Sequence, residues 1–262
     1  VSTFKTAISD VEDGRVIIRG YSHEDIIGRL PYATATFLTI VGRLPSPAEA
    51  RLLDAMLTSL LDHGFVASTV SAARYAASGN PQFIPAVAAG LLAAGQNTLS
   101  PEHSYALINE ARALRAQNGW DDLRTAREIV ERRRRERRRL PGLGHPVHRG
   151  GDFRAEVLFA LADELGLSGD ATTLYRTIHA EFVRQSGRSS IPINIDGCLA
   201  CLGMDLELTA HQTVAISVLA VLPGLMAHVI EEIDAGVPLR FIADGEYVGE
   251  GHRPLPDEAN EQ

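Results

Sequence analysis

Apolar residues recur three and four positions apart along almost the whole chain, and that spacing is the strongest constraint on what it can fold into. Between positions 52 and 61, Leu52, Leu53, Met56, Leu57, Leu60 and Leu61 form an unbroken stripe along one face of a helix. This helix carries its own start signal: Ser46 to cap it, Pro47 for the first turn and Glu49 to complete a capping box. Residues 32–41 read as a compact apolar helix that Gly42 ends. The same periodicity predicts helices over residues 102–115, 121–139, 153–165, 173–186, 195–204 and 209–232, with Pro141-Gly142-Leu143-Gly144 as the turn that closes the second. Residues 15–21, β-branched and bounded by glycines, read as a small strand or hairpin arm, and Ser22 is a candidate cap for a helix starting at His23. Residues 67–94 are rich in Ala, Ser and Gly with few charges beyond Arg74, so their helices are expected in the core or in a subunit interface. The predicted fold class is all-α.

The 262 residues suffice for one domain with a subdomain or for two domains, and the hydrophobic (45%) and charged (22%) fractions are ordinary for a globular protein. No apolar run is expected to reach the roughly 20 residues of a membrane span, and the opening residues show no basic-then-apolar leader pattern. Cys198 and Cys201 fall on one helix face with no second pair, which fits small core residues better than a disulfide framework or a redox pair. The expected compartment is a reducing cytoplasm. A net charge of −8 argues against general affinity for nucleic acid. The exception is the run Glu131-Arg132-Arg133-Arg134-Arg135-Glu136-Arg137-Arg138-Arg139, which has no interleaved aromatics. A solvated helix face, a phosphate site for a nucleotide cofactor and a nucleic-acid contact compete as its reading. The polar stretch after Gly251 reads as a loose tail.

Three places set polar residues in apolar surroundings. Asp62-His63-Gly64 follows the Leu-rich helix, so His63 can either cap that helix end against its dipole or aim its imidazole into a cleft. The segment from Pro141 to Arg154 has two glycines that let backbone approach a ligand, followed by His145, His148, Arg149 and Arg154. A histidine there can donate to a developing alkoxide, and an arginine can clamp a carboxylate. His145, His148 and Asp152 as a metal set match no zinc spacing, and no metal is expected. A plain solvated turn is the other reading. In Ile191-Pro192-Ile193-Asn194-Ile195-Asp196-Gly197, the aspartate is flanked by apolar residues, which would raise its pKa and suit it to act as a base; the bland alternative is a cap for the next helix.

In order and spacing these three places resemble citrate synthase. Residues 62–69 (DHGFVAST) resemble the family's DHG(F)NAST segment, whose histidine binds the oxoacid. Residues 142–154 resemble its GFGHxVY…DPRA segment, and most closely the GHPVYKGGDPRAE of short citryl-CoA lyase-like members; His148 stands at the tyrosine. Residues 192–197 (PINIDG) resemble PxNVDG. Gly42-Arg43-Leu44-Pro45, residues 224–232 and Tyr247-Val248-Gly249 extend the likeness over nearly the whole chain. The resemblance implies a large helical domain (residues 1–105 and 205–262), a smaller one (106–204) closing over a cleft, and a homodimer with residues 72–94 in its interface. It implies coenzyme A, as an acyl-CoA substrate, held by Arg137, Arg138, Arg139, Leu143 and Gly144. His63, His148 and Arg154 would bind a 2-oxoacid, His145 would polarise its ketone, and Asp196 would move a proton at the acyl α-carbon.

The departures are specific. Where the family places the histidine that stabilises the enol, this chain has Thr98, with Asn97 and His103 nearby. A carboxylate-binding arginine aligns with Val221, and a second, near the C-terminus, with Ala243-Asp244-Gly245. The expected activity is therefore carbon–carbon bond making or breaking between an acyl-CoA and a 2-oxoacid with altered specificity. A CoA-thioester hydrolase or a non-catalytic acyl-CoA-binding homologue is the alternative, and an arginine-run nucleic-acid binder a weaker third.

Overall fold

The computed structural model describes residues 4–255 apart from Pro146, Arg149 and Ala243. Ala243, in the segment aligned above with the family's C-terminal arginine, and the tail from 256 onward therefore lie outside the described residues. A three-stranded antiparallel sheet, β1 (Ser9–Glu12), β2 (Arg15–Ile18) and β3 (Tyr21–Ser22), is followed among the described residues by eleven α-helices. Asp13 and Gly14 make the first hairpin turn with positive φ, the geometry two-residue loops need. The helices are α1 (His23–Arg29), α2 (Tyr32–Val41), α3 (Pro47–Thr58), α4 (Ser68–Gly79), α5 (Phe83–Leu92), α6 (Pro101–Asn118), α7 (Asp122–Arg135), α8 (Phe153–Glu164), α9 (Asp170–Ser186), α10 (Ile195–Asp205) and α11 (Ala210–Ala235). The chain is all-α in character.

Local start and stop signals explain most boundaries. The Ser46–Glu49 capping box forms at α3, and a second, Thr209 with Gln212, forms at α11. Ser22 occupies the N-cap position of α1, but its side chain makes no capping bond. Helix α7 ends four residues earlier than its periodicity predicts. Arg137 takes a left-handed φ of 54°, the Arg137 N–H donates to Arg134 and the Arg138 N–H to Arg133, a Schellman closure formed without glycine. Arg137 to Arg139 thus lie on a turn that leads into the Pro141 loop.

Two large cores meet at the cleft. One, including Leu107, Ile129, Leu174, Tyr175, Ile178 and Met204, lies wholly within residues 107–204. The other joins α2, α3 and α11 to α8 and α10 through Phe37, Leu53, Met56, Leu158, Leu199 and Ile216. Helices α8 and α10 serve both sides and so carry the cleft wall. A third, small core binds α4 and α5 to α11 through Ala73, Ala77, Ala86, Leu225 and Val229.

Helix α11 corrects one expectation. Its 26 residues are long and apolar enough, by composition, to cross a membrane. It packs against α3, α4, α5, α6 and α10, and its buried Glu232 takes Arg74 at 2.6 Å and also Arg240. Buried ion pairs of this kind hold geometry more than they add stability. Its Gly224 lies so close to the Leu61 carbonyl that a Cβ would overlap it, and His228 Nε2 sits 3.0 Å from Asp62 Oδ1. The long helix thereby fixes the turn that carries His63.

Candidate active site

The loop before α8 and the loop before α10 lock together through backbone. The Asn194 N–H donates to Gly142 O (2.9 Å), the Gly144 N–H to Pro192 O (2.8 Å), and Asn194 Nδ2 to Gly144 O (2.8 Å). Gly142 has φ +76°, and a Cβ there would overlap Tyr175 and Ser104; a Cβ on Gly197 would sit 2.7 Å from Gly142 O. Both positions require glycine because two loops and a buried tyrosine share one space.

Asn194 caps α10 by accepting from the Gly197 N–H, so Asp196 is not the cap read as its bland alternative. It sits in the first turn instead, facing the Ser100 N–H at 3.4 Å. Burial pushes its carboxyl above the ordinary carboxylate range, and the nearby Glu102 adds to the rise, while the Ser100 contact opposes it. Asp152 caps α8 and accepts from the Ile195 N–H at 3.0 Å. Both of its oxygens also hold Arg154, at 2.9 and 2.8 Å. Burial works against this carboxylate, yet the Arg154 guanidinium keeps it below its usual range. One aspartate therefore ties together the arginine, α8 and the start of α10.

His145 Nδ1 accepts from the backbone N–H of Val147 and of His148, both at 3.1 Å. That leaves the proton on Nε2, so the ring is a donor. Burial, then Arg154 and the two neighbouring histidines, push its pKa down to about 4. A neutral imidazole with a fixed Nε2–H is suited to stabilise a developing alkoxide.

His63 precedes a 3-10 turn, Gly64–Val66, five residues past the end of α3, so it does not cap that helix. Its ring lies 5.1 Å from that of His145 and stacks on His148 at 5.0 Å with 21° between planes. His148 is 4.5 Å from His145 and packs edge-on against Phe153 at 5.5 Å. Burial, then Arg154 and His148, lower the pKa of His63. The structure gathers His63, not Asp152, with His145 and His148; one ring nitrogen of each lies within 4.8 Å of the others. His145 fits a metal poorly, because its Nδ1 is occupied by backbone donors and its Nε2 carries the proton.

His63, His145, Arg154, Asp196, Asn97 and Thr98 line one cavity of about 780 Å³. Thr98 lies on a tight turn where it exchanges backbone bonds with Gly95 (2.9 and 3.1 Å), and Leu99 is strained at φ +55°. His103 is exposed on α6 and does not line the cavity. Val221 and Leu225 of α11, with Val66 and Leu99, are apolar residues that line the same cavity.

A second cavity of about 680 Å³ shares Arg139 and Gly144 with the first. Arg133, Arg134, Arg138, Arg139 and Arg188 surround a floor of Val130, Leu140, Leu143, Phe182 and Ile191. Arg137 lines neither cavity. The sequence run pointed to Arg138 and Arg139, but Arg188, brought in from after α9, gave no local signal. Cation-rich walls over an apolar floor suit a phosphorylated ligand with an apolar portion.

Fold and cleft together define an all-α protein with an arginine-lined trench that adjoins a cavity holding a buried carboxyl and a neutral, donating imidazole. Residues 28–241 match the family described as the citrate synthase C-terminal domain. The chain belongs to the citrate synthase family, on its citryl-CoA lyase-like side. The structure of citryl-CoA lyase from Hydrogenobacter thermophilus superposes with a TM-score of 0.89 at 30% identity, over 99% of this chain and 100% of that one. Citrate synthase from Deinococcus radiodurans is 27% identical over 255 residues, 95% of this chain and 62% of that protein. The chain thus spans about 60% of the length of the curated relatives it matches first. The structure of ATP citrate lyase from Methanothrix soehngenii in complex with citrate and coenzyme A shares the fold, with a TM-score of 0.78 at 19% identity, covering all of this chain and 43% of that one.

Proposed function

We propose that this chain makes or cleaves a carbon–carbon bond between the α-carbon of an acyl-CoA and the carbonyl carbon of a 2-oxoacid. The observation that carries this reading is the pairing, in one cavity, of a desolvated Asp196 with a His145 whose Nε2–H is fixed by its backbone. In the joining direction Asp196 accepts a proton from the α-carbon, the enolate carbon attacks the ketone, and the His145 Nε2–H hydrogen-bonds the alkoxide, which takes up a solvent proton to become the hydroxyl. Cleavage runs the same steps in reverse: the hydroxyl gives its proton to solvent while the His145 Nε2–H stabilises the alkoxide, the bond breaks, and protonated Asp196 returns its proton to the α-carbon. Arg138 and Arg139, with Leu143 and Gly144, hold the coenzyme A portion, and His63 and Arg154 orient the oxoacid, while His148, which lines neither cavity, packs against the rings of His63 and His145. The relative solved with citrate and coenzyme A, and the citryl-CoA lyase, support this class of ligand.

Val221 aligns with a carboxylate-binding arginine of the family and lines the cavity with Leu225, which supports an oxoacid with fewer carboxylates, or a less polar side chain, than oxaloacetate. The apolar faces at Phe83, Ile84 and Leu92 on α5 support a homodimer through α4 and α5, to be checked by light scattering. Purified protein is to be assayed for CoA release from acetyl-CoA with a panel of 2-oxoacids, and for cleavage of the matching hydroxyacyl-CoAs. Turnover that Asp196→Asn abolishes supports the reading; no turnover with any pair rejects it.

Thr98 favours a second reading, a thioester hydrolase or a non-catalytic acyl-CoA binder. A hydroxyl on a backbone-pinned turn is a weaker donor to a thioester enolate than an imidazole, and losing one such donor typically costs ~10²–10³ in rate. Coenzyme A binding with neither condensation nor cleavage would select this alternative.

A further inference from the structure

The turn that carries His63 has little support of its own. Helix α3 ends at Thr58 and α4 begins at Ser68, and between them Gly64–Val66 forms a short 3-10 turn. His63 Nε2 is buried and meets no hydrogen-bond partner among the described residues, so no bond on that side steers the ring and its aim follows the turn. The turn itself is held from α4 and α11. Asp62 Oδ2 accepts from the Gly64 N–H at 3.2 Å, and Asp62 Oδ1 faces His228 Nε2 at 3.0 Å. On the other side of the His228 ring, Arg74 Nη1 lies 3.4 Å from Nδ1. A guanidinium can only donate, so Nδ1 accepts and the ring proton sits on Nε2, where it donates to Asp62. Arg74 also lies over the ring of Phe65, inside the turn, at 5.3 Å. Glu231 (2.8 Å) and the buried Glu232 (2.6 Å) fix Arg74 in turn, and Glu232 also takes Arg240 from the segment after α11.

We propose that His228 is a positioning residue for the oxoacid: held in one tautomer, it bridges Arg74 and Asp62 and so passes the placement of the Arg74–Glu232–Arg240 cluster to the turn that presents His63. This rests on the oxoacid reading given above. Asp62 and His63 line the cavity that holds Asp196, whereas none of residues 62–69 lines the arginine-rich one. Loosening the bridge therefore acts on the oxoacid and leaves coenzyme A binding unchanged. A group displaced by about 1 Å from its working position can cost on the order of 10²-fold, so a bridge that touches neither ligand can still set how well one of them is held. A glutamine amide can offer an N–H near the place of Nε2, and a leucine cannot.

The test is calorimetry of the full chain saturated with coenzyme A, using 2-oxobutyrate and oxaloacetate as probes. It compares the unsubstituted protein with His228→Leu, His228→Gln and Arg240→Gln, each checked for its fold by circular dichroism. His228→Leu is expected to weaken oxoacid binding by roughly tenfold or more while the Kd for coenzyme A stays within about twofold. His228→Gln should recover most of that loss, and Arg240→Gln, one step further away, should weaken binding by roughly two- to threefold. Long-range proton–nitrogen spectra of the histidine rings read the same bridge without a ligand. His228 should show the Nε2–H tautomer, and the His63 signals should move in His228→Leu and return in His228→Gln. Unchanged oxoacid affinity in folded His228→Leu overturns the proposal. Equal loss of coenzyme A and oxoacid binding, or a glutamine that behaves like the leucine, overturns it as well. An Nδ1–H tautomer at His228 in the unsubstituted protein overturns the bridge whether or not the leucine variant folds. An unsubstituted protein that binds neither probe overturns the oxoacid reading, and the ring spectra then decide the bridge by themselves: His63 signals unmoved in His228→Leu overturn it too.

Discussion

The two walls of the cleft differ in how they are built. The wall made by the loops before α8 and α10 is dense with specified contacts: a capped helix, a bidentate aspartate–arginine pair, a histidine oriented by two N–H groups, and glycines at positions a side chain would block. The rest of the lining, from Ala93 to Leu99 and along α11, offers Val221, Leu225 and a threonine whose backbone pairs with Gly95. A group that must act on a reacting atom is preorganised by its neighbours, whereas a wall that only selects shape can exchange its side chains without disturbing the fold. On the proposed function, the proton transfers would fall to Asp196 and His145 in the first wall, and Val221 and Leu225 in the second would bear on substrate choice.

The sharpest way to break this comparison is to remove the base. Asp196→Asn is expected to lower turnover by ~10²–10⁴ while leaving coenzyme A binding intact by calorimetry. His145→Ala should cost ~10²–10³, with little change in affinity for coenzyme A. A pH profile follows from the same wall. In the joining direction Asp196 must be ionised, so activity falls as pH drops through its raised pKa, and the acid limb should lie above the usual carboxylate range. His145 stays neutral down to about pH 4 and adds no limb near neutrality.

The second wall should respond by changing preference more than fold. Val221→Arg is expected to shift kcat/KM toward dicarboxylate oxoacids by roughly tenfold or more, since a charged hydrogen bond is worth about 1.5–3 kcal/mol. The measurement is the ratio of kcat/KM for oxaloacetate and 2-oxobutyrate, and an unchanged ratio would remove Val221 from specificity. The smallest effect is structural. Asn194→Ala deletes the α10 cap and should lower unfolding stability by about 1 kcal/mol in denaturant titration.

How much of this was legible in the chain follows from the range of each interaction. The Ser46 capping box and the Gly42 stop are local, and the structure has them where the residues imply, whereas the Leu stripe is helical only as far as Leu57, because α3 ends at Thr58 and Leu60 and Leu61 follow it. The end of α7 was misjudged because a left-handed arginine closes it, and non-glycine residues seldom take that conformation. The apolar length of α11 differs from the expectation of no membrane-length run, and its packing against α3, α4, α5, α6 and α10, with Glu232 buried on Arg74, depends on partners far away in the chain. Motif spacing singled out His63, His145, Arg154 and Asp196, and alignment singled out Val221, all of which line one cavity, whereas Arg188 and Leu225 had no neighbouring signal.

What the sequence determined by itself is the helical class, the family and the residue types available for acid–base chemistry, because periodicity, capping and motif spacing are short-range properties. The tertiary structure decided which of those residues meet. It set the tautomer of His145 through two backbone N–H groups, withdrew much of the Arg154 charge into Asp152, and stacked His148 on His63. Protonation, charge and proximity depend on groups far apart in the chain, and only the packing of α8, α10 and α11 around one cleft brings them within reach of each other.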